Sequence, residues 1–144
     1  MDRIKIKIPN KIAYKTNIDI LIGDINYGGH LSNDAVLRIA HEARIRFLET
    51  NSMREMDVGG PGLIMSDAAI QYMAEAFRGN NLLVEITVDN VSKMGFDLYY
   101  NISFSNNLKC VAKVKTGLLF FDYTEHKLIH APDVLIEKFK AFCK

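Results

Sequence analysis

Apolar and polar residues alternate most cleanly between residues 12 and 22. Ile12, Tyr14, Thr16, Ile18, Ile20 and Ile22 share one face, with Lys11, Lys15, Asn17 and Asp19 among those on the other. A period of two over that length predicts a half-buried strand. The period then changes. Val36, Ala40, Ala43 and Phe47 recur at helical offsets and Leu37, Ile39 and Leu48 widen the stripe, while Arg38, Glu42, Ile45 and Glu49 lie opposite. No proline or glycine interrupts residues 30 to 58, so the helix can run about four to five turns. Gly59, Gly60, Pro61 and Gly62 break the chain after it.

Residues 63 to 78 fit two periods. Ile64, Ala68, Tyr72 and Glu75 have helical spacing; Ile64, Ser66, Ala68, Ile70, Tyr72, Ala74 and Ala76 have strand spacing. We favour the strand, because a helix would leave the β-rich remainder short of a partner for its first strand. Further on, Leu82, Val84, Ile86 and Val88 alternate with polar residues, as do Phe96, Leu98, Tyr100, Ile102 and Phe104. Cys110 to Tyr123 is long and rich in Val, Leu and Phe. Lys93-Met94-Gly95 and Ser105-Asn106-Asn107 read as hairpin turns, and a last helix spans Asp133 to Cys143. Consecutive strands usually pair, and a sheet with one apolar face packs best around the single long helix. The expected class is α+β, with an antiparallel sheet.

Composition narrows the picture. The 144 residues are most simply one domain, 1–144. Lys and Arg number 18 against 17 Asp and Glu, so the basic excess of a nucleic-acid-binding protein is missing. Lys5, Lys7, Lys11 and Lys15 cluster mildly, on what alternation makes a solvated face. Cys110 and Cys143, the two cysteines, have neither metal nor redox spacing. The first ten residues alternate Ile and Lys rather than forming a signal peptide, and no apolar run approaches the ~20 residues of a membrane span. The expectation is a soluble, cytoplasmic protein in a reducing compartment, without membrane or nucleic-acid partners.

Candidate chemistry concentrates where the first strand enters the long helix. Residues 22 to 49 combine Gly28-Gly29, His30, side-chain amides and carboxylates at the helix mouth. Ser32 or Asn33 can cap the helix, and Asp34 sits in its first turn, where the dipole favours an anion. Unpaired N–H groups at a helix start beside two glycines suit a phosphate or a developing oxyanion. The spacing is neither that of a phosphate loop nor that of a dinucleotide fingerprint. Ser32 and Ser66 lack a Gly-x-Ser-x-Gly setting, and no His-x-x-x-His or Cys-x-x-Cys metal pattern is present.

Gly29-His30-Leu31-Ser32-Asn33, followed by Glu42-Ala43-Arg44 on the helix, resembles the hotdog-fold acyl-CoA thioesterases, in particular the 4-hydroxybenzoyl-CoA thioesterase-like branch. Members typically show Asp-x-Asp-x-x-Gly-His-Val-Asn-Asn and then Glu-x-Ala-Arg. Asp24, Asn26, Gly29, His30, Leu31, Ser32 and Asn33 occupy those places here. The resemblance implies a sheet curled around the helix, a homodimer or homotetramer, and acyl-CoA bound at the subunit interface without a further cofactor. The family's catalytic carboxylate usually stands where this chain has Asn26. A carboxylate can attack the thioester or activate water; an amide can do neither.

The leading expectation is therefore an acyl-CoA hydrolase with a displaced acid. Asn26 and His30 would position water and substrate. Gly28, Gly29, Asn33 and the helix-start N–H groups would polarise the carbonyl, and Asp34, failing it Glu42, would act as base. The plainer readings are a first-turn charge for Asp34 and an ion pair with Arg38 or Arg46 for Glu42. Arg44, beside the apolar stripe, needs a partner, for which Asp24 and Asp67 are the candidates. His41 reads as interface or solvated, and His126 and His130 as uninvolved. Met65, Tyr72, Met73 and Phe77 suggest an apolar tunnel, and Arg78 a contact to CoA phosphate. Two alternatives remain: a binding protein without turnover, and a hydratase or dehydratase.

Overall fold

The computed structural model describes residues 2–143. The chain forms β1 (Tyr14–Asp19), a short 3₁₀ turn (Ile22–Asp24), α1 (Asn33–Thr50), β2 (Gly62–Tyr72), β3 (Asn81–Asp89), β4 (Gly95–Phe104), β5 (Cys110–Asp122), β6 (Lys127–Leu128) and α2 (Asp133–Ala141). The antiparallel sheet has the order β1-β3-β4-β5-β2, and β6 pairs with the end of β5. The expected α+β architecture, a sheet around one long helix, is what forms.

The core follows from the two periods. Val36, Ile39, Ala40, Ala43, Phe47 and Leu48 of α1 are buried against Leu82, Val84 and Ile86 of β3, Leu98, Tyr100 and Ile102 of β4, and Val114, Leu118 and Phe120 of β5. The small residues Ala40 and Ala43 let the sheet approach the helix closely. Helix α2 closes one end: Phe139 stacks on Phe96 at 4.2 Å between ring centroids and also meets Phe120 and Phe142.

Two strand expectations need correction. The first strand is shorter than residues 12 to 22: Ile12 is 45% exposed, and Ile22 is 72% exposed in the 3₁₀ turn. Asp24 causes the early end. Its carboxylate accepts from the Leu21 N–H at 2.9 Å and its own N–H returns to Leu21 O at 3.0 Å, which turns the chain out of the sheet. The strand reading of residues 63 to 78 holds only as far as Tyr72. Met73 and Ala74 both donate to Val111 O, near the start of β5, and the chain then crosses beneath the α1 loop.

Strand β2 also breaks its alternation. Met65 opposes Leu118 but Asp67 opposes Gly117, so Ser66 is a bulge and the face changes there. Met65, Ala68, Ile70 and Tyr72 thus share a face, not Ile64 and Ser66. Asp67 lies over Gly117, where a Cβ would come within 2.5 Å of its carboxylate. No helix among the described residues is long and apolar enough to cross a membrane.

Candidate active site

The loop between the 3₁₀ turn and α1 is built around Asn26. Asn26 N–H donates to His30 O at 2.9 Å, and Gly29 N–H donates to Asn26 O at 3.0 Å. The side-chain oxygen Oδ1 accepts from Gly28 N–H at 3.0 Å and His30 N–H at 3.2 Å. Two N–H donors fix which end of the amide is oxygen. Nδ2 then has no hydrogen-bond partner among the described residues. Gly29 adopts φ +85°, a conformation that glycine accepts without strain.

This arrangement redistributes the donors expected at the helix mouth. The N–H groups of Gly28 and Gly29 are used inside the loop. Ser32 N–H donates to Asp24 O and Asp34 N–H to Asn33 Oδ1, both at 2.8 Å. Asn33 N–H, at the first helical position, donates to no acceptor among the described residues. Asn26 Nδ2 and Asn33 N–H are thus spare donors, as are Tyr27 N–H and Asn33 Nδ2, none of which has an acceptor among the described residues.

The segment after β2 forms the other wall. Leu31 N–H donates to Ala76 O at 2.8 Å, which pins the loop to residues 73–78. Asn26, His30, Asn33, Tyr72, Met73 and Glu75 line the resulting cleft. Tyr72 donates its hydroxyl to Asn33 O at 2.9 Å. Partial burial, with a contribution from the Asp34 charge, pushes the Tyr72 phenol up. His30 Nδ1 faces Glu75 Oε1 at 3.6 Å, and the Phe77 ring meets the imidazole edge-on at 5.6 Å. Sequence reasoning did not single out Glu75. Its relation to His30 depends on the Leu31–Ala76 bond, and no local spacing encodes that.

The other expected site residues separate from this cleft. Asp34 opens onto a neighbouring groove with Leu37, Arg38, His41, Arg44 and Met65. Its carboxylate accepts from Ser32 Oγ at 2.5 Å and Arg38 Nη1 at 2.8 Å. These bonds, Ser32 first, hold it below the usual carboxylate range. Glu42 accepts from Arg46 Nε at 2.8 Å, and Arg46 is tied to Thr16 Oγ1 and Asn17 O of β1. Glu42 therefore belongs to the α1–β1 contact and does not line the cleft. Arg78 lies beside Ile20 and Leu21, in a separate depression.

Arg44 is buried, and its partner is neither Asp24 nor Asp67. Its Nε donates to Glu55 at 2.8 Å and its Nη1 to Tyr100 Oη at 3.2 Å. Arginine only donates, so the Tyr100 proton goes to Thr116 Oγ1 at 2.8 Å. Burial pushes the Tyr100 phenol up, which keeps that proton in place. His41 Nε2 adds a contact to Glu55 at 3.1 Å. Asp24 instead faces Arg38, and Asp67 is paired with Lys115. The described residues bring together no group of three or more His, Cys, Asp or Glu side chains able to hold a metal.

A family model described as the thioesterase-like superfamily matches residues 20–139. No curated protein matches the chain. Among solved structures, Slr0204, a 1,4-dihydroxy-2-naphthoyl-CoA thioesterase from Synechocystis, is 22% identical with a TM-score of 0.77, over 90% of this chain and 94% of that one. The PA5185 protein from Pseudomonas aeruginosa PAO1 is 13% identical with a TM-score of 0.80, over 92% of each chain. A thioesterase-superfamily protein from Jannaschia sp. CCS1 is 16% identical with a TM-score of 0.77, over 90% of this chain and 82% of that one. These structures share the fold.

Proposed function

Because the chain belongs to the thioesterase-like superfamily, we propose that it hydrolyses an acyl-CoA thioester to the free acid and CoA. The observation that carries this reading is the gathering of spare donors, Asn26 Nδ2 and Asn33 N–H among them, in one cleft with His30. An aspartate at position 26 would offer a free oxygen for attack. The amide offers a hydrogen-bond donor, suited to the carbonyl oxygen as it becomes an oxyanion. The role of position 26 moves from attack to polarisation, and water becomes the nucleophile. Asp34 is a poor base for that water: two strong donors already occupy its carboxylate and depress its basicity.

The site is completed, in this proposal, by a second copy of the chain. Among the described residues strand β2 pairs with β5 alone, and it carries exposed Ile64, Met65 and Tyr72. An unpaired edge with apolar side chains favours pairing with another strand. A partner there would cover the groove lined by Leu37, His41 and Met65 and turn an open cleft into an enclosed one.

Thiol release from short-, medium-, long-chain and aromatic acyl-CoAs tests the activity. We expect release by the wild type and its retention in Asp34→Asn. Loss in that variant would return the base to Asp34. A second reading, binding without turnover, is favoured by the same amide, which cannot itself attack a thioester. Tight acyl-CoA binding without thiol release from any of the panel would select it. Mass measurement in solution tests the second copy: a monomer would remove the interface.

A further inference from the structure

We infer that His30 and Glu75 form the acid–base pair of this site, replacing the carboxylate that position 26 lacks. This rests on the hydrolase reading above. The cleft needs a group that can take a proton from water. Asn26 cannot, and the Tyr72 hydroxyl is committed to Asn33 O. Asp34 is held by Ser32 and Arg38, and Glu42 by Arg46. His30 and Glu75 are the remaining titratable side chains lining the cleft.

Their placement is built into the fold at three points. The His30 main chain is fixed on both sides by Asn26, through its N–H to Oδ1 and its C=O to the Asn26 N–H. The next residue, Leu31, donates to Ala76 O, so the segments bearing the two side chains are tied together one residue beyond each. Phe77 meets the imidazole edge-on, at an interplanar angle of 79°, and limits its rotation. With Nδ1 facing Glu75 Oε1 at 3.6 Å, Nε2 is the ring nitrogen left for water. Glu75 acts through His30 and is a positioning residue; its charge balances the imidazolium.

The step balances within these groups. Water attacks the thioester carbon while His30 Nε2 takes its proton. The carbonyl π pair moves to oxygen, which Asn26 Nδ2 and Asn33 N–H receive. The tetrahedral intermediate then re-forms the carbonyl and breaks the C–S bond. The CoA thiolate takes the proton back from His30, leaving free acid and thiol.

The test uses the full chain and the best acyl-CoA from the panel. His30→Ala lowers kcat by about 10²–10⁴-fold, the usual worth of a positioned acid–base group. Glu75→Gln lowers kcat by a smaller factor with KM unchanged. Added imidazole restores turnover to His30→Ala, and added formate restores it to Glu75→Ala, which a merely structural role would not allow. Circular dichroism should be unchanged, since both side chains are exposed at the cleft. Wild-type turnover with an undiminished kcat in His30→Ala overturns the pair and leaves the hydrolase reading standing. A loss in Glu75→Ala that formate does not restore removes Glu75 from it. No turnover by the wild type defeats both readings together.

Discussion

About three turns along α1 from the His30 cleft, Arg44 lies buried with Tyr100 and Thr116, joining half-buried Glu55 to Tyr100, which is joined in turn to Thr116. Among the described residues, no buried side-chain nitrogen or oxygen lacks a partner. At the cleft the opposite holds. Asn26 Nδ2 and Asn33 N–H have no partner among the described residues, and half-buried His30 and exposed Glu75 stand 3.6 Å apart. A polar group buried without a partner costs free energy, so the interior network is complete. An exposed group keeps water until a ligand displaces it, so the cleft tolerates spare donors. Helix α1 thus carries a constellation that holds the fold, and the loop that leads into it borders one that is free for chemistry.

Breaking the buried network should have the largest effect on stability. Arg44→Ala takes the guanidinium from Tyr100 and from Glu55, which keeps only its His41 contact, and we expect a loss of about 3 kcal/mol. For a chain of this size, that is a fall in melting temperature of about 10 °C. Arg44→Met with Tyr100→Phe should recover part of the loss, because it removes both polar ends together. Urea denaturation measures both. A melting temperature unchanged in Arg44→Ala would show that the network does not support the fold.

The loop comes next. Gly29→Ala places a side chain at φ +85° and should cost about 1 kcal/mol through backbone strain alone, since no atom lies within 4 Å of the added Cβ. The same change displaces the Asn26 turn, so thiol release should fall more than stability does. Proportionate losses would mean that the loop acts only as a connector.

The contrast between the two regions also explains what the sequence could reveal. Helix α1, strands β3, β4 and β5 and the loop-to-helix junction are written in local periods and local residue types, and each was legible. Three relations were not. The β2 bulge depends on Asp67 meeting Gly117 of β5. The Arg44 partner is Glu55 because the segment after α1 folds back, with Leu63 N–H donating to Glu55 O. Glu75 reaches His30 only through the Leu31–Ala76 bond. Each is a choice among several acids of similar local character, made by tertiary contact. Charge partners in particular cannot be read from a period, because any surface acid fits the pattern.

The smallest effects are expected from the two helix acids, and they sharpen the division most. Asp34 is exposed, and its carboxyl is held below the ordinary range by Ser32 and then Arg38. A depressed carboxyl stabilises the folded state above its unfolded value, and that contribution is lost as pH falls through the folded value. Acid titration followed by circular dichroism should therefore show a slightly shallower loss of stability in Asp34→Asn than in wild type. Glu42→Gln removes an i,i+4 pair with Arg46 and should cost only a few tenths of a kcal/mol. Glu42 does not border the cleft and Asp34 acts on it only through its charge on Tyr72, so thiol release should stay near the wild-type rate in both. A large fall in kcat for Glu42→Gln would mean that α1 presents its chemistry along its length, and the boundary between the structural and reactive regions would have to be redrawn.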